Sequence, residues 1–146
     1  MYRYIDELTS ADVAFEAIGK TREEMFSEAG IALLGVMVRD PKKIEPKKKT
    51  RIRKKAESVE KLLFDFLDEL VFLKDAKQMF YSKFEVNIKE KKEKEKTVLE
   101  LDAFAYGEKI DPKKHDIVID AKAVTMHHFK VEKTDKGWRC QVVIDV

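Results

Sequence analysis

Cysteine is almost missing from this chain. Cys140 stands alone, which excludes an intrachain disulfide, a CxxC zinc site and a thioredoxin-type pair, and fits a reducing compartment. No apolar run approaches the roughly 20 residues needed to span a bilayer. The opening MYRYIDELTSAD also lacks the apolar centre of a secretory signal. A soluble, cytoplasmic protein without membrane partners is the expectation. Side-chain amides are scarce as well, namely Asn87, Gln78 and Gln141. Together with a charged fraction of 40% rich in Lys and Glu, that scarcity suits a heat-adapted surface. Nor is there an excess of one charge: 30 Lys and Arg face 28 Asp and Glu, a net of +2, so composition does not announce a nucleic-acid binder.

What the chain does have is apolar content. Hydrophobic residues make up 44% of 146 residues, enough for one core, and a single domain over residues 1–146 is expected. Residues 2–8 and 13–20 read as extended segments around the turn Thr9-Ser10-Ala11-Asp12. Thr21 and Glu24 have capping-box spacing and start a helix whose apolar face holds Met25, Ala29, Leu33 and Val36. It should end before Pro41. Residues 42–55 are mostly Lys and Arg, which suggests a linker or a weak edge strand.

A second helix, about residues 57–76, carries a stripe from Val59 to Leu73 that Phe64, Val71 and Phe72 widen, so cover on two sides is expected. Strands follow at about 80–89 and 97–106, with EKKEKEK as a solvated loop between them. After Gly107, the run GEKIDPKKHD has turn spacing, and residues 121–133 and 138–146 form a last hairpin through Thr134 to Gly137. The fold class is α+β, largely antiparallel sheet with two main helices.

Most chemical motifs are absent or incomplete. Gly19-Lys20-Thr21 stands between strand and helix as a phosphate-binding loop would end, but Ala14 occupies the place of the loop's first glycine. A plain helix start is the better reading. No GxSxG nucleophile signature accompanies His115, His127 and His128. Neighbouring His127 and His128 should face opposite sides of a strand, which precludes a two-histidine metal clamp. The basic run 42–55 could steer RNA or an acidic protein, yet no aromatic residue for base stacking lies between Arg39 and Ala56.

The other end of the chain is richer: Asp145 precedes Val146, so a side-chain and a main-chain carboxylate crowd together. If that strand pairs near Asp12, three carboxylates meet, which favours either a raised pKa or a hard divalent ion. Hydrated terminal carboxylates are the ordinary alternative.

Three blocks together resemble the archease family: Ser10-Ala11-Asp12-Val13 followed by the FxxA helix at Phe26 to Ala29, LLFDFLDELVFLKD at 62–75, and GEKIDPKKH, KAVTMH and GWRCQVVIDV toward the end. The resemblance implies a divalent-ion site of the calcium type, with manganese or magnesium as other occupants, formed by Asp12, Asp145 and a main-chain oxygen of Val146. It implies no catalysis by the chain itself. Its partner would be the GTP- and manganese-dependent tRNA-splicing RNA ligase, whose active-site histidine must receive GMP, with RNA met indirectly or weakly. The family promotes that guanylylation, permits repeated turnover and can widen nucleotide choice. Lys122 and His127 are candidates for ligase or phosphate contact. One departure stands out, since the family commonly has histidine where this chain has Thr9. Other readings are a chaperone or modulator of RNA-processing proteins, and a metal-dependent hydrolase acting alone.

Overall fold

Alternating and helical apolar patterns sort the chain, in a computed structural model that describes residues 1–5 and 12–146, into seven strands and two α-helices among those residues. They run β1 (Tyr2–Ile5), β2 (Val13–Gly19), α1 (Arg22–Met37), β3 (Lys48–Ala56), α2 (Val59–Lys77), β4 (Met79–Glu93), β5 (Lys96–Lys109), β6 (Ala123–Thr134) and β7 (Gly137–Asp145). Two antiparallel sheets result, ordered β1-β2-β7-β6 and β3-β5-β4. This is the α+β, largely antiparallel class with two main helices that the sequence predicts. The expected turn at Thr9 to Ala11 lies outside the described residues.

Each helix starts where a hydroxyl can satisfy a free amide. Thr21 Oγ1 accepts the Glu24 N–H at 3.1 Å, and Ser58 Oγ accepts the Lys61 N–H at 3.1 Å. α1 packs on β2 and β7 of one sheet and on β4 of the other, while α2 touches β3 and β6. Both helices therefore bridge the sheets, which explains why the α2 stripe is so wide. Phe66 sits at the centre, 5.6 Å from the Phe26 ring and 5.8 Å from the Phe84 ring. Phe72 departs from the stripe and is 60% exposed.

Two segments are more regular than their composition suggests. The stretch expected as a linker or weak edge strand is a short 3-10 turn, Pro41–Lys43, followed by β3, which does lie at the edge of its sheet but is regular, its nine residues pairing with β5 from Lys48↔Gly107 to Ala56↔Leu99. Its odd-numbered cations face solvent, whereas Ile52 is buried and Lys54 reaches Glu69 at 3.0 Å. The charged run EKKEKEK is not a loop: pairing continues to Glu93↔Lys96, and only Lys94 and Glu95 turn, with φ of 48° and 68°. Positive φ at both positions marks a type I′ hairpin, normally signalled by Asn-Gly.

Candidate functional site

β2 and β7 pair from Gly19↔Trp138 to Val13↔Ile144. The ladder is fixed by a buried face in which Phe15, Ala17, Cys140, Val142 and Ile144 have no exposure. At its open end, Asp12 immediately precedes Val13 and Asp145 immediately follows Ile144, so both acids stand one residue beyond the same terminal pair. β6 joins from the other side: Ala123 pairs with Asp145, and the Lys122 N–H donates to the Asp145 carbonyl at 2.8 Å. Asp145 and Lys122 are exposed, Asp12 and Val146 half-buried, and Val146 packs against the core.

Asp12 and the end of the last strand thus meet on one open edge of the sheet, where its inner strands β2 and β7 stop, with two carboxylates, a lysine and the main-chain oxygens of Val146 nearby. Hard oxygen donors of this kind suit calcium, magnesium or manganese better than soft metals. Among the described residues no group of three His, Cys, Asp or Glu side chains could hold a metal. Asp12 and Asp145 supply two such side chains, and further donors at this edge would be main-chain oxygens or water.

His127 is placed differently. The β6–β7 register shifts between Thr125 and Lys130, and His128 takes a φ of 54°. That left-handed residue breaks strand alternation, so the two histidine rings expected on opposite faces lie 4.1 Å apart between centroids. Both histidines are exposed. Thr125 pairs with Val143, so His127 falls farther from the Asp145 end. The edge therefore gathers Asp12, Asp145, Val146 and Lys122, and His127 stays on the bulge.

Behind the edge is a residue that sequence reasoning missed. Lys74 of α2 is only 4% exposed, donates to the Ala121 carbonyl at 2.6 Å and to the Asp120 carboxylate, and lies 3.0 Å from Asp75. It pins the chain just ahead of Lys122 to the helix. A lysine ending an apolar stripe is usually a solvated cap, so nothing in its spacing distinguishes it.

The whole chain from residue 2 to residue 146 matches the Archease protein family (MTH1598/TM1083). The chain belongs to the archease family. Among its relatives, the protein archease of Methanosarcina barkeri is 38% identical over 146 residues, 99% of this chain and 95% of that one. The protein archease of Pyrococcus abyssi is 39% identical over 138 residues, 94% of each chain. The solution structure of Methanobacterium thermoautotrophicum protein 1598 superposes with a TM-score of 0.79 at 30% identity, covering 99% of this chain and 98% of that one.

A second polar centre of this archease lies in the GEKIDPKKH run. Glu108 is buried, and its carboxylate accepts hydrogen bonds from Lys114 Nζ at 2.8 Å and the Glu45 N–H at 2.8 Å. The Asp111 N–H donates to His115 Nδ1 at 3.0 Å, so the ring proton sits on Nε2 and is donated to Glu108 at 3.1 Å. Burial alone would raise the Glu108 pKa, but these donors outweigh it and hold the carboxyl at about 2. Lys114, held by Glu108 and Glu45, is pushed up to about 12.

This centre closes the loop after β5 rather than facing the carboxylate edge. Because the folded pKa lies below the ordinary 4.5, Glu108 stabilises the fold above that value, and the contribution is lost as pH falls through about 2. Glu108→Gln is expected to lower stability near neutral pH by about 2 kcal/mol and to flatten the loss of stability on acidification. Urea unfolding across that range measures both.

Proposed function

We propose that this archease activates the GTP-dependent tRNA-splicing RNA ligase, promoting guanylylation of the ligase's active-site histidine and repeated turnover without being an enzyme itself. The observation that carries the reading is the shared register of Asp12 and Asp145 beyond the Val13↔Ile144 pair, in a chain that belongs to the family along its length. Asp12, Asp145 and a main-chain oxygen of Val146 would hold a divalent cation of the calcium type. Such an ion supplies positive charge and fixed geometry for phosphate oxygens. The chain's own part is to bring the two acids together on a rigid ladder, with Lys122 beside them. Transfer of a nucleotidyl group depends mainly on positioning and charge neutralisation, which a projecting polar edge can offer to another protein's active site. The same edge can broaden nucleotide use if its contacts are to phosphates rather than to a base.

Multiple-turnover RNA ligation with the cognate ligase tests this. Asp12→Ala and Asp145→Ala are each expected to reduce stimulation at least about tenfold, whereas stimulation equal to wild type would remove the edge from the mechanism. A second reading, a chaperone or modulator of RNA-processing proteins, draws on exposed apolar side chains, with Phe72 60%, Met126 59% and Val118 55% exposed. Under that reading, aggregation of unrelated proteins is suppressed without metal and without need of either aspartate.

A further inference from the structure

We propose that the open face of the β3-β5-β4 sheet is a platform for single-stranded RNA, with bases stacking on Phe104 and Tyr106 and phosphates following the cations of the flanking strands. The inner face of this sheet is buried through Ile52, Phe84, Leu101 and Ala103. The outer face alternates in step along all three strands. Register sets Lys49, Tyr106 and Lys83 in one row and Arg51, Phe104 and Glu85 in the next. Two aromatic rings therefore stand on the same face of the central strand, about 6.8 Å apart along it, and both are partly exposed. Open sheet faces that bind RNA stack bases on central-strand aromatics in this manner.

The rings already attract cations. Lys49 Nζ lies 4.9 Å from the Phe104 centroid, and Lys83 Nζ lies 5.2 Å from that of Tyr106. Such exposed contacts are weak, so a base takes the ring face and the displaced cation turns to a phosphate. Arg53, Lys55 and Lys89 continue the positive margin along a groove of about 560 Å³. Acids thin this field without reversing it: Asp102 pairs with Arg51 at 2.7 Å, and Glu100 lies 3.7 Å from Lys55. The basic run 42–55 has no aromatic residue between Arg39 and Ala56, and β5 supplies what it lacks. An acidic protein surface would use the cations alone, so the paired rings favour a strand with bases. The choice of RNA rests on the function proposed above, and the test contains no ligase, so its failure leaves that function standing.

Fluorescence anisotropy of a labelled single-stranded oligouridylate, titrated at two salt concentrations, decides the matter. Wild type is expected to bind. The double variant Phe104→Ala and Tyr106→Ala should bind at least about tenfold more weakly, while Tyr106→Phe retains affinity. Arg53→Glu with Lys89→Glu should weaken binding at least about tenfold and flatten its salt dependence. An equal charge change on the β6–β7 hairpin, Lys133→Glu with Lys136→Glu, should leave affinity within about twofold. Circular dichroism identifies variants that have lost the fold, and the rescue by Tyr106→Phe separates stacking from folding. Three results would overturn the proposal: no binding by wild type at low salt, full affinity in the aromatic double variant with polyphosphate displacing the RNA, or binding of an acidic peptide that RNA does not displace.

Discussion

Phe66→Ala is expected to destabilise the protein by about 3–5 kcal/mol, seen as a fall in melting temperature of roughly 10 °C. Phe66 has no exposure and lies between Phe26 of α1 and Phe84 of β4, with ring centroids 5.6 and 5.8 Å away. It therefore joins both helices to the second sheet. Truncation removes its own burial and leaves a cavity whose walls belong to three different elements, which cannot all close on it. Phe66→Leu should recover most of the loss because it retains much of the volume. Thermal unfolding followed by circular dichroism measures both, and a loss below about 1 kcal/mol for the alanine variant would show that the interlayer core is not where the fold is held.

Gly107→Ala, a change of one methyl group, is expected to cost about 3 kcal/mol. A Cβ at this position would meet the Phe80 carbonyl oxygen at 1.8 Å and the Tyr81 Cα at 2.8 Å, both backbone atoms that no side-chain rotation can clear. The cause is local. The β4–β5 register shifts between Tyr81 and Lys83, and the shifted backbone crosses directly over Gly107. Because Glu108 follows at once, the same change should disturb the buried carboxylate and its bonds to Lys114 and His115. Urea unfolding of Gly107→Ala against wild type checks the cost, and unchanged stability would mean that the two strands can separate freely there.

These two positions show what the sequence could reveal. Phe66 was legible, because its neighbours Leu62, Leu63, Leu70 and Leu73 repeat at helical spacing and only a core accepts such a stripe. Gly107 was legible only as punctuation: a glycine ahead of Ile-Asp-Pro reads as the start of a turn, yet it lies inside β5. Its requirement comes from Phe80, a residue in another strand. Long-range pairing likewise decides the basic stretch, since residues 48–56 become a strand through partners in β5.

For the candidate site, the crowding at Asp145 and Val146 left the approach of Asp12 a condition on strand pairing, and it was the archease resemblance that joined Asp12 to Asp145; the ladder brings their neighbours into register. The bulge at His127 and His128 was not readable, because a left-handed histidine has no sequence signature comparable to glycine. Lys74 was hidden for a related reason: its carbonyl partner, Ala121, comes from a segment far along the chain.

The central claim, that Asp12 and Asp145 hold one cation between them, is met most directly by isothermal titration of calcium into the purified protein, with magnesium and manganese as parallel titrants. Wild type is expected to bind one ion per chain, and Asp12→Ala and Asp145→Ala are each expected to weaken it at least about tenfold while keeping the wild-type circular dichroism spectrum. Wild-type affinity in both folded variants, or no binding of any of the three ions by wild type, would contradict it.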